Sequence, residues 1–327
     1  MENLLLKEKC DHLVRSRNAI REVFSWDAGL MTAAAAGMFV SAGREVDKDV
    51  LERCKKIIKA SSAAELRGNI RVPLACKMAL SVDPEKYFER VRKLFDLISE
   101  GKLFTSEHKA MAALSIADHD IPEDEFETVV SKTKEIFERM REEDKWHTGN
   151  EDYPYAALLA MSGAELDDIF AEIGKIRELL LEKFKSKNAV QTLSNVLVLD
   201  ERDAEAKCEK VGKLFDELKS MNHKYGAGHE LATLGAFVLV DKDEKEIARL
   251  ICEADDYLAK QKGFGGLTMS STHRRLYAAQ LVLSLYGNES AASEGAMLGS
   301  MLAITIAMEV CLLICLSTSS AVATTAN

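Results

Sequence analysis

The chain is poor in what β-proteins, export and metal chemistry need. Among its 327 residues there are only 4 prolines, and aromatic residues make up 6%, so a turn-rich β-architecture is excluded and helices are expected. Seven cysteines (Cys10, Cys54, Cys76, Cys208, Cys252, Cys311, Cys315) are an odd number without a CxxC pair, which argues against a disulfide framework or a zinc knuckle. The first thirty residues carry Lys7, Lys9, Arg15, Arg17, Arg21 and Asp27, leaving no apolar run for a signal peptide. Reduced thiols and the missing export signal point to the cytoplasm. No basic stripe offsets the formal charge of −10, so nucleic acid is not an expected partner and an anionic membrane surface is an unlikely one on charge grounds.

What is present is repetition. Ala-rich apolar segments at Met31–Val40, Leu74–Leu80, Ala110–Ala117, Tyr155–Met161, Thr192–Leu199, Leu231–Val240 and Leu276–Tyr286 recur at intervals of 38 to 44 residues. Each is followed by a short acidic turn and a charged segment with one apolar stripe. In the segment 85–100, for instance, Phe88, Val91, Leu94, Phe95 and Ile98 keep helical spacing. That period marks stacked helix pairs that cannot hide their apolar faces alone. The expected fold is all-α: about seven tandem helical hairpins of roughly 40 residues, forming an α/α solenoid or a closed α/α toroid. One domain spans 1–327, with an N-terminal helix at 1–23, hairpins over 24–290, an apolar terminal helix at 291–316 and a frayed tail at 317–327.

The two edges of such an array differ. Turns such as Asp83-Pro84-Glu85 have a sufficient structural explanation, a capping carboxylate ahead of a proline at the first helical position. The opposite connections mix glycine with aromatic and polar residues: Trp146 to Tyr153, Asn222 to His229, and Phe264 to Thr268. Loops gathered on one face of a repeat protein often form its binding face. Candidate ligand-binding residues are therefore Trp146, His147, Tyr153, His223, Tyr225, His229, Phe264, His273 and Arg274. His147, His223, His229 and His273 are weak metal candidates, because no HExxH or comparable spacing gathers three or four ligands. The run Gly263-Phe264-Gly265-Gly266 could approach phosphates, but it lacks the strand and the Lys-Ser/Thr of a P-loop. Asp167-Asp168 and Asp255-Asp256 read as solvated faces of charged helices. No catalytic residue and no cofactor is expected.

The C-terminal segment offers two readings. Between Gly295 and Val322 the one charge is Glu309. A tail anchor over 295–322 is the runner-up; a buried last helix is favoured, because that glutamate sits mid-segment and no Lys or Arg follows Arg275.

Leu30-Met31 leading into Ala33–Gly37 and Gly43, then Leu66-Arg67-Gly68-Asn69, then Ala79-Leu80-Ser81 with Asp83-Pro84, resemble an uncharacterised family of all-helical bacterial proteins known only as a domain of unknown function. The similarity covers most of the chain and implies a bacterial cytosolic protein; the family has no established site residues to carry over. The architecture is also similar to the α/α-toroids of prenyltransferases and terpene cyclases, whose acidic motifs this chain lacks. Two functions follow as expectations. One is a non-enzymatic scaffold binding a protein or peptide through its loop edge or concave face. The alternative is an enzyme or small-molecule or metal-binding protein with a cavity ringed by loop histidines and aromatics.

Overall fold

The computed structural model describes residues 2–25, 29–100, 106–119, 121–266, 268–286 and 305–317. Among them are fifteen α-helices and no strand. In chain order they are α1 (Glu2–Val23), α2 (Gly29–Ala42), α3 (Lys48–Ala60), α4 (Arg71–Leu80), α5 (Pro84–Ser99), α6 (Glu107–Ala117), α7 (Phe126–Glu143), α8 (Tyr153–Ala160), α9 (Leu166–Lys183), α10 (Lys187–Leu197), α11 (Ala204–Ser220), α12 (Ala232–Gly235), α13 (Glu244–Ala259), α14 (Ser271–Tyr286) and α15 (305–317). Residues 291–304 of the expected terminal helix, and the tail beyond 317, lie outside the described residues.

Even-numbered and odd-numbered helices up to α14 bury different amounts of themselves. α2 buries every residue from Met31 to Val40, whereas α3 buries only Leu51, Cys54 and Ile58, one stripe at helical spacing. Alanine explains the first pattern, since small side chains let neighbouring backbones approach from several sides. The stripe explains the second, one face packed and the other wet. The even-numbered helices are thus an inner layer and the odd-numbered ones an outer layer. The turns between them are capped as the sequence predicts: Asp83 accepts from the Lys86 N–H, Asp47 from Asp49 and Val50, and Asp243 from Lys245 and Glu246. The inner segment at Leu231–Val240 is α-helical only over Ala232–Gly235, preceded by a 3-10 turn at His229–Leu231 and followed by turns.

Two long-range features were not readable from the repeat. First, the N-terminal helix α1 does not stand alone. It lies in the outer layer against both α3 and α13, and packs on α2 and α14. α14 in turn packs on α2. Tyr277 Oη donates to Leu30 O at 2.9 Å, Tyr257 Oη donates to Asp11, and Arg17 donates to Gly263 O at 3.1 Å. The last inner helix is therefore packed against the first helices of the chain.

Second, α15 is buried among the inner helices. Ile306 to Leu316 are buried on all sides of the helix. Its one charge is paired: Lys77 Nζ on α4 lies 2.5 Å from Glu309 Oε2 and 2.9 Å from Asp118 Oδ2 on the segment leaving α6. Tyr87 Oη donates to the other Asp118 oxygen, and Tyr155 Oη on α8 donates to Cys311 Sγ at 3.2 Å. Burial opposes the Lys77 charge, but the two carboxylates outweigh it and hold the ammonium above its ordinary pKa. Burial pushes Glu309 up, against the pull of Lys77. No helix among the described residues is long and apolar enough to cross a membrane.

Removing one partner strands a buried charge, which costs about 3–5 kcal/mol. Lys77→Met should lower the urea-unfolding free energy by about that amount. Lys86→Met, at an exposed outer-layer position, should leave it unchanged; equal stability of the two variants would contradict the buried pairing.

Candidate functional site

The connections from outer to inner helices place the sequence-predicted residues in three groups. In the first, His147 Nδ1 lies 2.7 Å from Asp144 Oδ1, and Arg177 on α9 donates to Asp144 Oδ2 at 2.7 Å. Against the effect of burial, these two partners hold the Asp144 carboxyl below its ordinary range. Trp146 beside them is 92% exposed. Thr148 donates to Met140 O and accepts from Gln191 Nε2 at 3.0 Å, tying the loop to α10. Asp152 accepts the Gly149 N–H at 3.0 Å, and burial pushes its carboxyl up to about 7. Tyr153 is a core residue, its ring 4.6 Å from that of Phe137.

The second group centres on Asp255, which is 1% exposed. Arg274 Nε donates to one of its oxygens at 2.6 Å and Arg275 Nε to the other at 3.3 Å. His223 Nε2 lies 3.6 Å from Asp255 Oδ2 and 3.1 Å from Asp256 Oδ1, while its Nδ1 faces Met221 O at 2.9 Å. Asp255 therefore corrects the reading of a solvated pair: it is the buried acceptor that gathers two arginines. Phe264 is fully buried, with its carbonyl accepting from Arg274 at 3.3 Å. The ligand atoms of His223, Asp255 and Asp256 lie within 4.8 Å of one another, close enough for a cation. The donor set does not fit one, because two guanidiniums already neutralise the Asp255 carboxylate and a metal would have to displace them.

The third group lies at the N-terminal ends of α6, α12 and α14. His229 Nδ1 is 3.4 Å from Thr192 Oγ1, and His229 and Glu151 are within electrostatic reach of His108. Burial lowers the pKa of His108 and of His273, favouring neutral imidazoles. Glu230 accepts the Gly228 N–H at 3.1 Å; a Cβ at Gly226 or Gly228 would come within 2.8 Å of the Glu230 side chain. Glycine here makes room for a carboxylate. Tyr225 is buried, its hydroxyl 2.6 Å from Thr233 Oγ1. Ser270 Oγ accepts the His273 N–H at 3.2 Å, the helix-capping role its position predicts.

The structure thus separates His147 and His223 into distinct ion-pair clusters and brings His229 near His108. Trp146 faces solvent, while Tyr153, Tyr225 and Phe264 are core. Sequence reasoning missed Asp144, Arg177, Asp255 and Arg275 as partners. Their signal is weak, because a partner 33 residues away in an adjacent hairpin leaves no local pattern.

A sequence profile supplies the family. The chain belongs to DUF4003, a family of proteins of unknown function, whose profile matches residues 18–314. No curated protein and no solved structure matches the chain. The family assignment agrees with the all-helical architecture and attaches no chemistry to the three groups.

Asp152 gives the loop edge a measurable signature. Its folded pKa of about 7 exceeds the carboxylate's unfolded value of about 3.9, so its contribution is present at acid pH and lost as pH rises through 7. Between pH 4 and 7 the wild type should lose stability, at up to about 1.4 kcal/mol per pH unit, relative to Asp152→Asn. Parallel stability curves for the two proteins from urea titrations would contradict the burial of that carboxyl.

Proposed function

We propose that this DUF4003 protein is a non-enzymatic scaffold: a closed ring of seven helical hairpins, filled by its own C-terminal helix, that engages a protein or peptide through the loop edge. Support for the ring comes from α1 and α2, which meet α13 and α14, so that α1 takes the outer position missing beside the last inner helix. The space where an α/α-toroid would hold a substrate is here taken up by α15, with Ile306 to Leu316 buried. At the loop edge, His147, His223 and Arg274 are engaged in pairs that order the loops.

The observation that carries a partner-binding role is Trp146. It stands almost fully exposed on a loop braced from both sides, by Asp144 through Arg177 and by Thr148 through Gln191. An exposed tryptophan on a rigid loop is the kind of anchor that dominates protein interfaces, because it contributes a large area with little ordering cost. A location in the cytoplasm accords with seven unbridged cysteines, six of them buried.

Small-molecule binding is the second reading. Gln191 Oε1, Asn195 Nδ2 and His108 Nε2 are buried without hydrogen-bond partners, and polar groups so placed are costly unless something satisfies them.

Affinity capture of the full chain in cells of its source, followed by cross-linking, tests the scaffold. Trp146→Ser should lose most of the cross-linked partner, by about tenfold or more if Trp146 is a hot spot. Val82→Ser, exposed on the opposite edge, should retain it. Equal cross-linking by both variants, or a stoichiometric small molecule in native mass spectra, would overturn the reading.

A further inference from the structure

Where the first and last helices meet, a buried cation lacks an anion. Arg17 on α1 is 3% exposed. Its Nε has no hydrogen-bond partner, and NH2 donates to a neutral acceptor, Gly263 O, at 3.1 Å. No carboxylate pairs with it among the described residues. Other sequestered cations are treated differently. Lys207 reaches Glu172 at 2.9 Å, Lys77 has Asp118 and Glu309, and Arg274 has Asp255. An unpaired buried charge is among the most expensive features a fold can carry, and no described carboxylate offsets this one.

Among the described residues, the groups acting on Arg17 are electropositive or neutral. Arg17 NH2 comes within 3.9 Å of the Cβ position of Gly29, the first residue of α2. The first turn of α2 holds no acidic residue, so the positive end of its dipole is uncompensated from within the helix. Arg21, one turn along α1, adds a second positive charge close enough to act on Arg17. Below the guanidinium lies the Phe264 ring, 4.9 Å away, which orients it without neutralising it. Gly263 has φ +89°, and a Cβ there would sit 2.6 Å from Arg17 NH1. Only glycine lets the backbone come this close, which gives the Gly263–Gly266 run a role beyond ending a helix.

We propose that Arg17 and the N-terminal turn of α2 form a binding site for a small oxyanion, carried by a phosphate or carboxylate group. The guanidinium presents a planar fork suited to two oxygens, and the helix start adds backbone donors. This site shares the Gly263–Phe264 backbone with the Asp255 cluster but does not depend on the scaffold reading. It also differs from the Arg274–Arg275 pair, whose charges Asp255 already takes up.

Isothermal titration of the full chain with inorganic phosphate and, separately, with acetate, at constant ionic strength set by chloride, tests the site and tells the two sources apart. One of the anions should bind at one equivalent. Arg17→Lys should weaken that binding by about tenfold, through loss of the bidentate fork, and Arg17→Met should abolish it. Without the anion, Arg17→Met should melt no lower than wild type, because it removes an unpaired buried charge. Should Arg17→Met fail to fold, Gly263→Ala serves in its place, its methyl displacing the guanidinium and lowering affinity. Failure of both anions to bind the wild type, or undiminished binding by Arg17→Met or Gly263→Ala, would overturn the assignment.

Discussion

The burial of one apolar helix, α15, among the inner helices is the constraint to which the rest of the molecule answers. An apolar helix of this kind has no stable place in water, and each leucine or isoleucine it hides contributes about 1.5–3 kcal/mol gross. A few such side chains outweigh the single ion pair at Glu309. That pair is better understood as fixing where the helix sits, since a buried salt bridge adds little net stability once its desolvation is counted. The inner helices complete the arrangement from the other side. Their alanines bring backbones close together, and their apolar faces require a filler on one side and an amphipathic outer helix on the other.

The all-helical fold, the alternation of deeply buried and one-stripe helices and the acidic caps were legible, because each is written in local spacing: Asp83 before Pro84, or Leu51, Cys54 and Ile58 on one stripe. The packing of the first helices on the last was not. Tyr277 and Leu30 lie 247 positions apart, and no periodicity announces that α1 completes the outer layer beside α13. Glu309 was conspicuous as the one charge in an apolar run, yet its partner Lys77 lies at the end of an unremarkable inner helix.

The loop edge shows the same division. Glycine, histidine and aromatic residues singled out the connections from outer to inner helices. Their roles depended on partners elsewhere: Arg177 for the His147 loop, and Asp255 for the His223 loop and Arg274. Several residues that resemble cavity walls, Tyr153, Tyr225 and Phe264, turned out to be core. The edge is therefore a stiffened surface. The proposed recognition by fixed side chains such as Trp146 rests on that stiffness. Arg17 differs from Lys77, Lys207 and Arg274 in that its acceptor is a carbonyl and not a carboxylate.

Hydrogen exchange of the intact chain, read by mass spectrometry over residues 305–317, tests the central claim most directly. If α15 is enclosed by the inner helices, its amides should exchange as slowly as those of α4, α6 and α8, and open only with them. Exchange complete within seconds to minutes while those three helices stay protected would contradict the account.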